Sequence, residues 1–186
     1  MIIIKSSREI ALMKEAGEVL IGLFEVLKAN TVPGKTTKEL DNIARRYILS
    51  HGGIPSSYHY EGYPGNICIS VNDTLIHGIP SNKIVLKEGD IVSYDCMCTK
   101  HGYVADACRT FPVGKISKEA ERLIEVTRNC FFNAVKLIKP GIHLGVISHE
   151  IEKTAHEAGY TVTDQYTGHG VGRDVHEDPY VPNCGD

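Results

Sequence analysis

The sequence predicts a mixed α/β fold of the α+β kind, and three observations predict it. Two helix pairs carry the same punctuation, one strong strand pair lies between them, and the composition is that of an ordinary globular chain. The 186 residues are 42% hydrophobic and 23% charged, enough to bury a core as a single domain over 1–186. The net charge is −3 and no basic block exists, which removes the electrostatic support for a nucleic-acid partner. The apolar start, Met1-Ile2-Ile3-Ile4-Lys5, is too short for a signal peptide or a membrane span, so the expectation is a cytoplasmic protein with no membrane partner. None of the six cysteines forms a Cys-x-x-Cys pair, which argues against a structural zinc knuckle. With no secretion signal, a disulfide framework is not expected either, and the thiols read as reduced and mostly buried.

The first helix reads from residue 7 to about residue 29. Ser6 and Glu9 have capping-box spacing, and Ile10, Met13, Val19, Leu20, Leu23, Val26 and Leu27 form one apolar stripe. Pro33-Gly34 ends it. Thr36 and Glu39 repeat the capping box and open a helix with Leu40, Ile43, Tyr47 and Ile48, stopped by His51-Gly52-Gly53. The plan recurs downstream. A helix from Ser117 carries Leu123, Ile124, Cys130, Phe131, Val135 and Leu137, and Pro140-Gly141 ends it. A shorter one carries Leu144, Ile147, Ile151 and Ala155 and stops at Gly159. Gly34 to Gly52 and Gly141 to Gly159 are both 18 residues, and each second helix leads to a histidine near a proline, in His77-Gly78-Ile79-Pro80 and His176-Glu177-Asp178-Pro179. Such matching reads as an internal duplication, with a first half of about 1–113 and a second of about 114–186. The first half continues into a strand pair. The second has seven residues after Pro179, so it reads as lacking its last strands.

That strand pair spans residues 89–98 and 103–111, with Thr99-Lys100-His101-Gly102 as the connecting loop. Pairing Cys98 with Tyr103 sets Asp95 directly opposite Asp106, with Cβ atoms about 5 Å apart. Both faces of the hairpin are largely apolar, so cover on both sides is expected. Two carboxylates side by side in such surroundings need relief. They can share a proton, hold a metal ion, or reach water at a solvated edge. Three histidines, His77 and His169 beside glycine and His176 seven residues after His169, favour the metal. Carboxylate and imidazole donors suit Mn, Fe, Co or Zn better than a thiolate site would.

At these residues the sequence resembles the type I methionine aminopeptidases, metallopeptidases of the pita-bread fold. The stretches that carry the resemblance are Tyr63-Pro64-Gly65-Asn66-Ile67-Cys68-Ile69-Ser70-Val71-Asn72, His77-Gly78-Ile79-Pro80, Asp95 with Gly102-Tyr103-Val104-Ala105-Asp106, Arg109-Thr110-Phe111, Gly168-His169-Gly170-Val171-Gly172 and His176-Glu177-Asp178-Pro179. The resemblance implies two pseudo-symmetric halves, and divalent metal ions as cofactors (Co, Mn, Fe or Zn, two in the family). It implies Asp95, Asp106 and His169 as metal ligands, with Asp106 bridging. His77 and His176 become the catalytic histidines that contact the substrate about the scissile amide. Tyr60, Tyr63 and Cys68 become the walls of the methionine pocket. The implied reaction is removal of N-terminal methionine from nascent polypeptides, by a water that the metal acidifies, with association with the ribosome as a further expectation. The family has two further glutamate ligands downstream of the last residue here, and neither Glu157 nor Glu177 matches them. The resemblance thus also implies a second half that is incomplete, with weaker metal binding, impaired turnover or a binding role without turnover as the expected consequences.

Overall fold

The computed structural model describes residues 1–185 and divides the chain into two compact units. One unit comprises Ile4–Ser117 with Val171–Val175. The other comprises Met1–Ile3, Lys118–Gly170 and the segment from His176 onward.

In the Ile4–Ser117 unit, α1 spans Ser7–Asn30 and α2 spans Thr37–Ser50. Both predicted capping boxes form: Glu9 N donates to Ser6 Oγ while Ser6 N donates to Glu9, and Thr36 and Glu39 do the same. Four strands follow, β1 at Ile54–Pro55, β2 at Cys68–Val71, β3 at Ile91–Lys100 and β4 at Tyr103–Pro112. All pair antiparallel with β3, which is central. The core lies between the helices and one face of this sheet. Val19, Leu20, Leu23, Phe24 and Leu27 from α1 and Leu40, Ala44 and Ile48 from α2 meet Val92, Tyr94, Cys96 and Cys98 from β3. Tyr94 is fully buried and keeps its hydroxyl satisfied against Thr31 Oγ1 at 2.7 Å.

The ladder corrects the expected register. The turn is His101-Gly102 alone, with φ of 52° and 78°, and Lys100, not Cys98, pairs with Tyr103. Two left-handed residues make the tight turn whose twist matches that of the strands, so the ladder runs two residues further than a four-residue loop allows. A shift of two preserves the side-chain alternation. Asp95 and Asp106 therefore share a face, yet Asp95 stands opposite Cys108 and Asp106 opposite Met97. The expected cover on both sides is also not what the structure has. Val92, Tyr94, Cys96 and Cys98 are buried, whereas the face with Asp95 and Asp106 is half-buried and Cys108 is exposed.

In the other unit, α3 spans Lys118–Lys136 and α4 spans Leu144–Glu157, with β5 at Thr167–Gly170 paired antiparallel to β6 at Glu177–Pro182. Fewer side chains are buried here; Cys130, Ala134 and Ala155 are its buried apolar residues. All six cysteines are free thiols, four of them buried. Among the described residues, no helix is long and apolar enough to cross a membrane.

Candidate metal and peptide site

In the first unit the sheet places the carboxylates. Asp95 is hemmed by a thiol on each side, since Cys68 of β2 and Cys108 of β4 are its direct partners across β3. Asp106 lies one step along on the diagonal, at a Cβ separation of about 7 Å rather than the direct-pair distance. That spacing lowers the repulsion between the two carboxylates, and it fits a cation held by both better than a proton shared between them.

Cys68 belongs to this face and is buried. Burial pushes its thiol up to about 11, and the neighbouring charges of Asp95 and Asp106 push in the same direction, against a hydrogen bond from Tyr63. The thiol is thus neutral at pH 7, which suits it to an apolar wall. Tyr63 is fixed by its hydroxyl, which donates to Gly78 O at 2.8 Å and reaches Ile67 O at 3.3 Å. Burial raises the phenol well above its ordinary value, with the Cys68 hydrogen bond adding to it. Tyr60 opens a 3-10 turn, Tyr60–Gly62, and Tyr63 N donates back to Tyr60 O at 2.9 Å. Tyr60, Tyr63 and Cys68 thus belong to one short run of chain that leads into β2.

His77 has a left-handed backbone, φ 57°, and is exposed. Gly78 follows it because nothing larger fits: a Cβ there would lie 2.1 Å from Ile69 O. Gly78 O accepts from Ile69 N at 2.9 Å and Gly78 N donates to Ser70 Oγ at 3.1 Å, which pins this loop to β2.

In the second unit the histidines are placed by backbone closeness. His169 pairs with Tyr180 across the β5–β6 ladder, and a bulge lies between His169 and Gly170. A Cβ on Gly170 would meet Asp178 O at 2.6 Å, and one on Gly168 would meet Val181 O at 3.3 Å. The His169 ring packs against that of His176, with centroids 4.1 Å apart. His169 Nδ1 lies 2.9 Å from Gly170 O. A carbonyl only accepts, so Nδ1 is the donor in this contact, an arrangement in which the other ring nitrogen is the one that ligates a metal.

Among the described residues, no three His, Cys, Asp or Glu side chains gather closely enough to make a metal cluster. The fit to a metal rests on donor chemistry: two carboxylates on one half-open face in the first unit, and an imidazole whose Nδ1 is held by a backbone carbonyl in the second. Sequence reasoning did not find the flanking of Asp95 by two thiols. Its signal is the alternation in Cys68-Ile69-Ser70-Val71, a strand too short to stand out.

Comparison with known proteins follows the same lines. The methionine aminopeptidase of Clostridium acetobutylicum is 46% identical over 185 residues, covering 100% of this chain and 74% of that protein. Methionine aminopeptidase 1 of Bacillus subtilis is 45% identical over 185 residues with the same coverage. The crystal structure of methionine aminopeptidase from Thermotoga maritima superposes with a TM-score of 0.98 at 40% identity, covering 100% of this chain and 75% of that one, and the mixed α/β fold is therefore the pita-bread fold. The sequence matches metallopeptidase family M24 from residue 11 to residue 186, and with these relatives at its side the chain belongs to that family.

Proposed function

We propose that this chain is a metal-dependent aminopeptidase that removes the N-terminal methionine of newly made polypeptides. The observation that carries the reading is the shared face of Asp95 and Asp106 beside the neutral thiol of Cys68 in a member of a metallopeptidase family. Asp95, Asp106 and His169 are the residues that would hold the divalent cation, and their oxygen and nitrogen donors suit Mn, Fe, Co or Zn. When bound, the cation supplies a water whose pKa falls from about 16 toward about 7, together with a Lewis acid for the amide carbonyl.

The remaining residues bind and orient. Tyr60, Tyr63 and Cys68 wall an apolar pocket, which suits an unbranched thioether. His77 holds the substrate near the scissile amide. His176 donates to the carbonyl oxygen as negative charge develops there. Residues 1–113 and 114–186 serve as two halves of one peptidase domain. The substrate is the amino terminus of a nascent chain, and the reaction belongs to the cytoplasm, at or near the ribosome.

The test is methionine release from a Met-Ala-Ser peptide by the purified chain with Mn, Co or Fe added. Release is expected, and Asp106→Asn abolishes it. His77→Ala lowers turnover while the metal stays bound. No release at any concentration of any of these metals overturns the proposal.

A further inference from the structure

α2 opens with two polar side chains that are fully buried, Thr37 and Asp41. A carboxylate taken wholly out of water persists only where donors surround it. Asp41 is surrounded in this way. Its Oδ1 accepts from Asn66 N at 2.7 Å and from Ile67 N at 3.2 Å, and its Oδ2 accepts from Asn66 Nδ2 at 2.8 Å and from Lys38 Nζ at 2.9 Å. Lys38 is on the helix itself. The other donors belong to Asn66 and Ile67, which lie in the chain between Tyr63 and Cys68.

Ile67 shows what the contact does. Its N–H donates to Asp41, and its carbonyl accepts from the Tyr63 hydroxyl at 3.3 Å. The next residue is Cys68, the first of β2. Asp41 thus fixes the residue that Tyr63 bonds to and that Cys68 follows. Burial raises the Tyr63 phenol, and the charge of Asp41 adds to it. Thr37 grips the far end of the same stretch. Its Oγ1 donates to Ser81 O at 3.1 Å and accepts from Ser81 N at 2.9 Å, and Ser81 stands four residues beyond His77. The two gripped segments meet at Gly65, where a Cβ would lie 2.8 Å from Pro80 Cδ and 2.9 Å from Tyr63 Cε1. Apolar packing already joins α2 to the sheet, through Leu40, Ala44 and Ile48. A buried ion pair adds little stability over apolar residues of the same volume; what directed hydrogen bonds add is a fixed position.

We propose, on the reading of Tyr63 and Cys68 as pocket walls, that Asp41 is a positioning residue for the methionine pocket: through Asn66 and Ile67 it sets the spacing of those walls, and with it the shape of the first side chain that the pocket accepts. Asp95 and Asp106 are placed by the β3–β4 ladder. Loss of the carboxylate therefore changes binding and the choice of the first residue more than the chemical step. Asp41→Asn isolates this role. It keeps the shape and the Oδ1 acceptor, but it turns Oδ2 into a donor that faces two donors, Asn66 Nδ2 and Lys38 Nζ.

The experiment measures release of the first residue from Met-Ala-Ser and from Leu-Ala-Ser by the 186-residue chain with Mn added. In Asp41→Asn the KM for Met-Ala-Ser is expected to rise by about tenfold, and the preference for methionine over leucine in kcat/KM to fall by about as much. The kcat for Met-Ala-Ser stays within about threefold of the parent. Asn66→Ala removes one of the donors and keeps the carboxylate, so it moves KM and preference the same way by about threefold, and it carries the test if Asp41→Asn does not fold by circular dichroism. Leu27→Ala is the structural control: it opens a cavity in the core between α1 and the sheet, and KM and preference stay within about twofold. A parent that prefers methionine, with variants that keep its KM and preference, overturns the role of Asp41 alone. Equal shifts in Leu27→Ala overturn it too, since any loosening of the unit would then suffice. A parent that releases neither residue, or both alike, overturns the functional reading and this role with it.

Discussion

α2 and α4 are the same length and sit at the same place in their repeats, yet they bury opposite things at the same position. Asp41 is a fully buried carboxylate with Lys38 Nζ at 2.9 Å and three donors from Asn66 and Ile67 around it. Ser148 is a buried hydroxyl with no partner among the described residues. Asp41 ties a helix to the start of a strand, and a long sheet follows. At Ser148 the helix is not tied in that way, and a short hairpin follows. The difference shows that the repeat dictates where helices begin and end, while the polar contacts that fix the sheet are specific to each half.

Breaking this comparison gives predictions of decreasing size. Asp41→Ala leaves three donors from Asn66 and Ile67 without an acceptor and removes the partner of the half-buried Lys38 ammonium, and should cost about 3–5 kcal/mol in urea unfolding of the first unit. A loss below about 1 kcal/mol would mean that water replaces the carboxylate without penalty. Gly170→Ala forces a Cβ against Asp178 O and should cost about 1–3 kcal/mol. It should also shift the side-chain NMR signals of His169 and His176, and unchanged signals would contradict the placement of His169 by its glycines. Ser148→Ala removes a hydroxyl that has no hydrogen-bond partner among the described residues, so its effect should lie within about 1 kcal/mol of zero and on the stabilising side. A clear loss would reveal a partner for that hydroxyl.

The smallest effect is one of pH. Hydrogen bonds from the Ser6 backbone and side chain, then one from Tyr103, hold the Glu9 carboxyl at about 2, below its usual 4.5. A depressed carboxyl stabilises the fold fully above its unfolded value and loses that contribution as the pH falls. The loss runs from about pH 4.5 down to about 2, and Glu9→Gln should remove that part of the acid limb of the melting temperature. An unaltered acid limb in Glu9→Gln would contradict it.

Much of the fold is legible in the residues themselves. Ser6 with Glu9 and Thr36 with Glu39 announce two helix starts that the structure reproduces, and the glycines at 34, 52, 141 and 159 all have the positive φ that ends a helix or turns a chain. The parity of the aspartate pair is legible too, because every even shift of register keeps alternating side chains on one face. The register itself is not. A two-residue turn normally announces itself with Asn-Gly or Asp-Gly, and here His101 takes the left-handed position that histidine adopts less often. β2 escapes notice because four residues carry little periodicity, and its partner is 20 or more residues away. The Nδ1 contact of His169 depends on a carbonyl whose direction only the bulge defines.

The central claim is that Asp95 and Asp106 share a cation, and calorimetric titration of Mn or Co into the purified chain tests it most directly. The account predicts saturable binding in the parent, and none at the same concentrations in Asp106→Asn or Asp95→Asn, with the fold intact by circular dichroism. Equal metal affinity in the parent and both variants would contradict it.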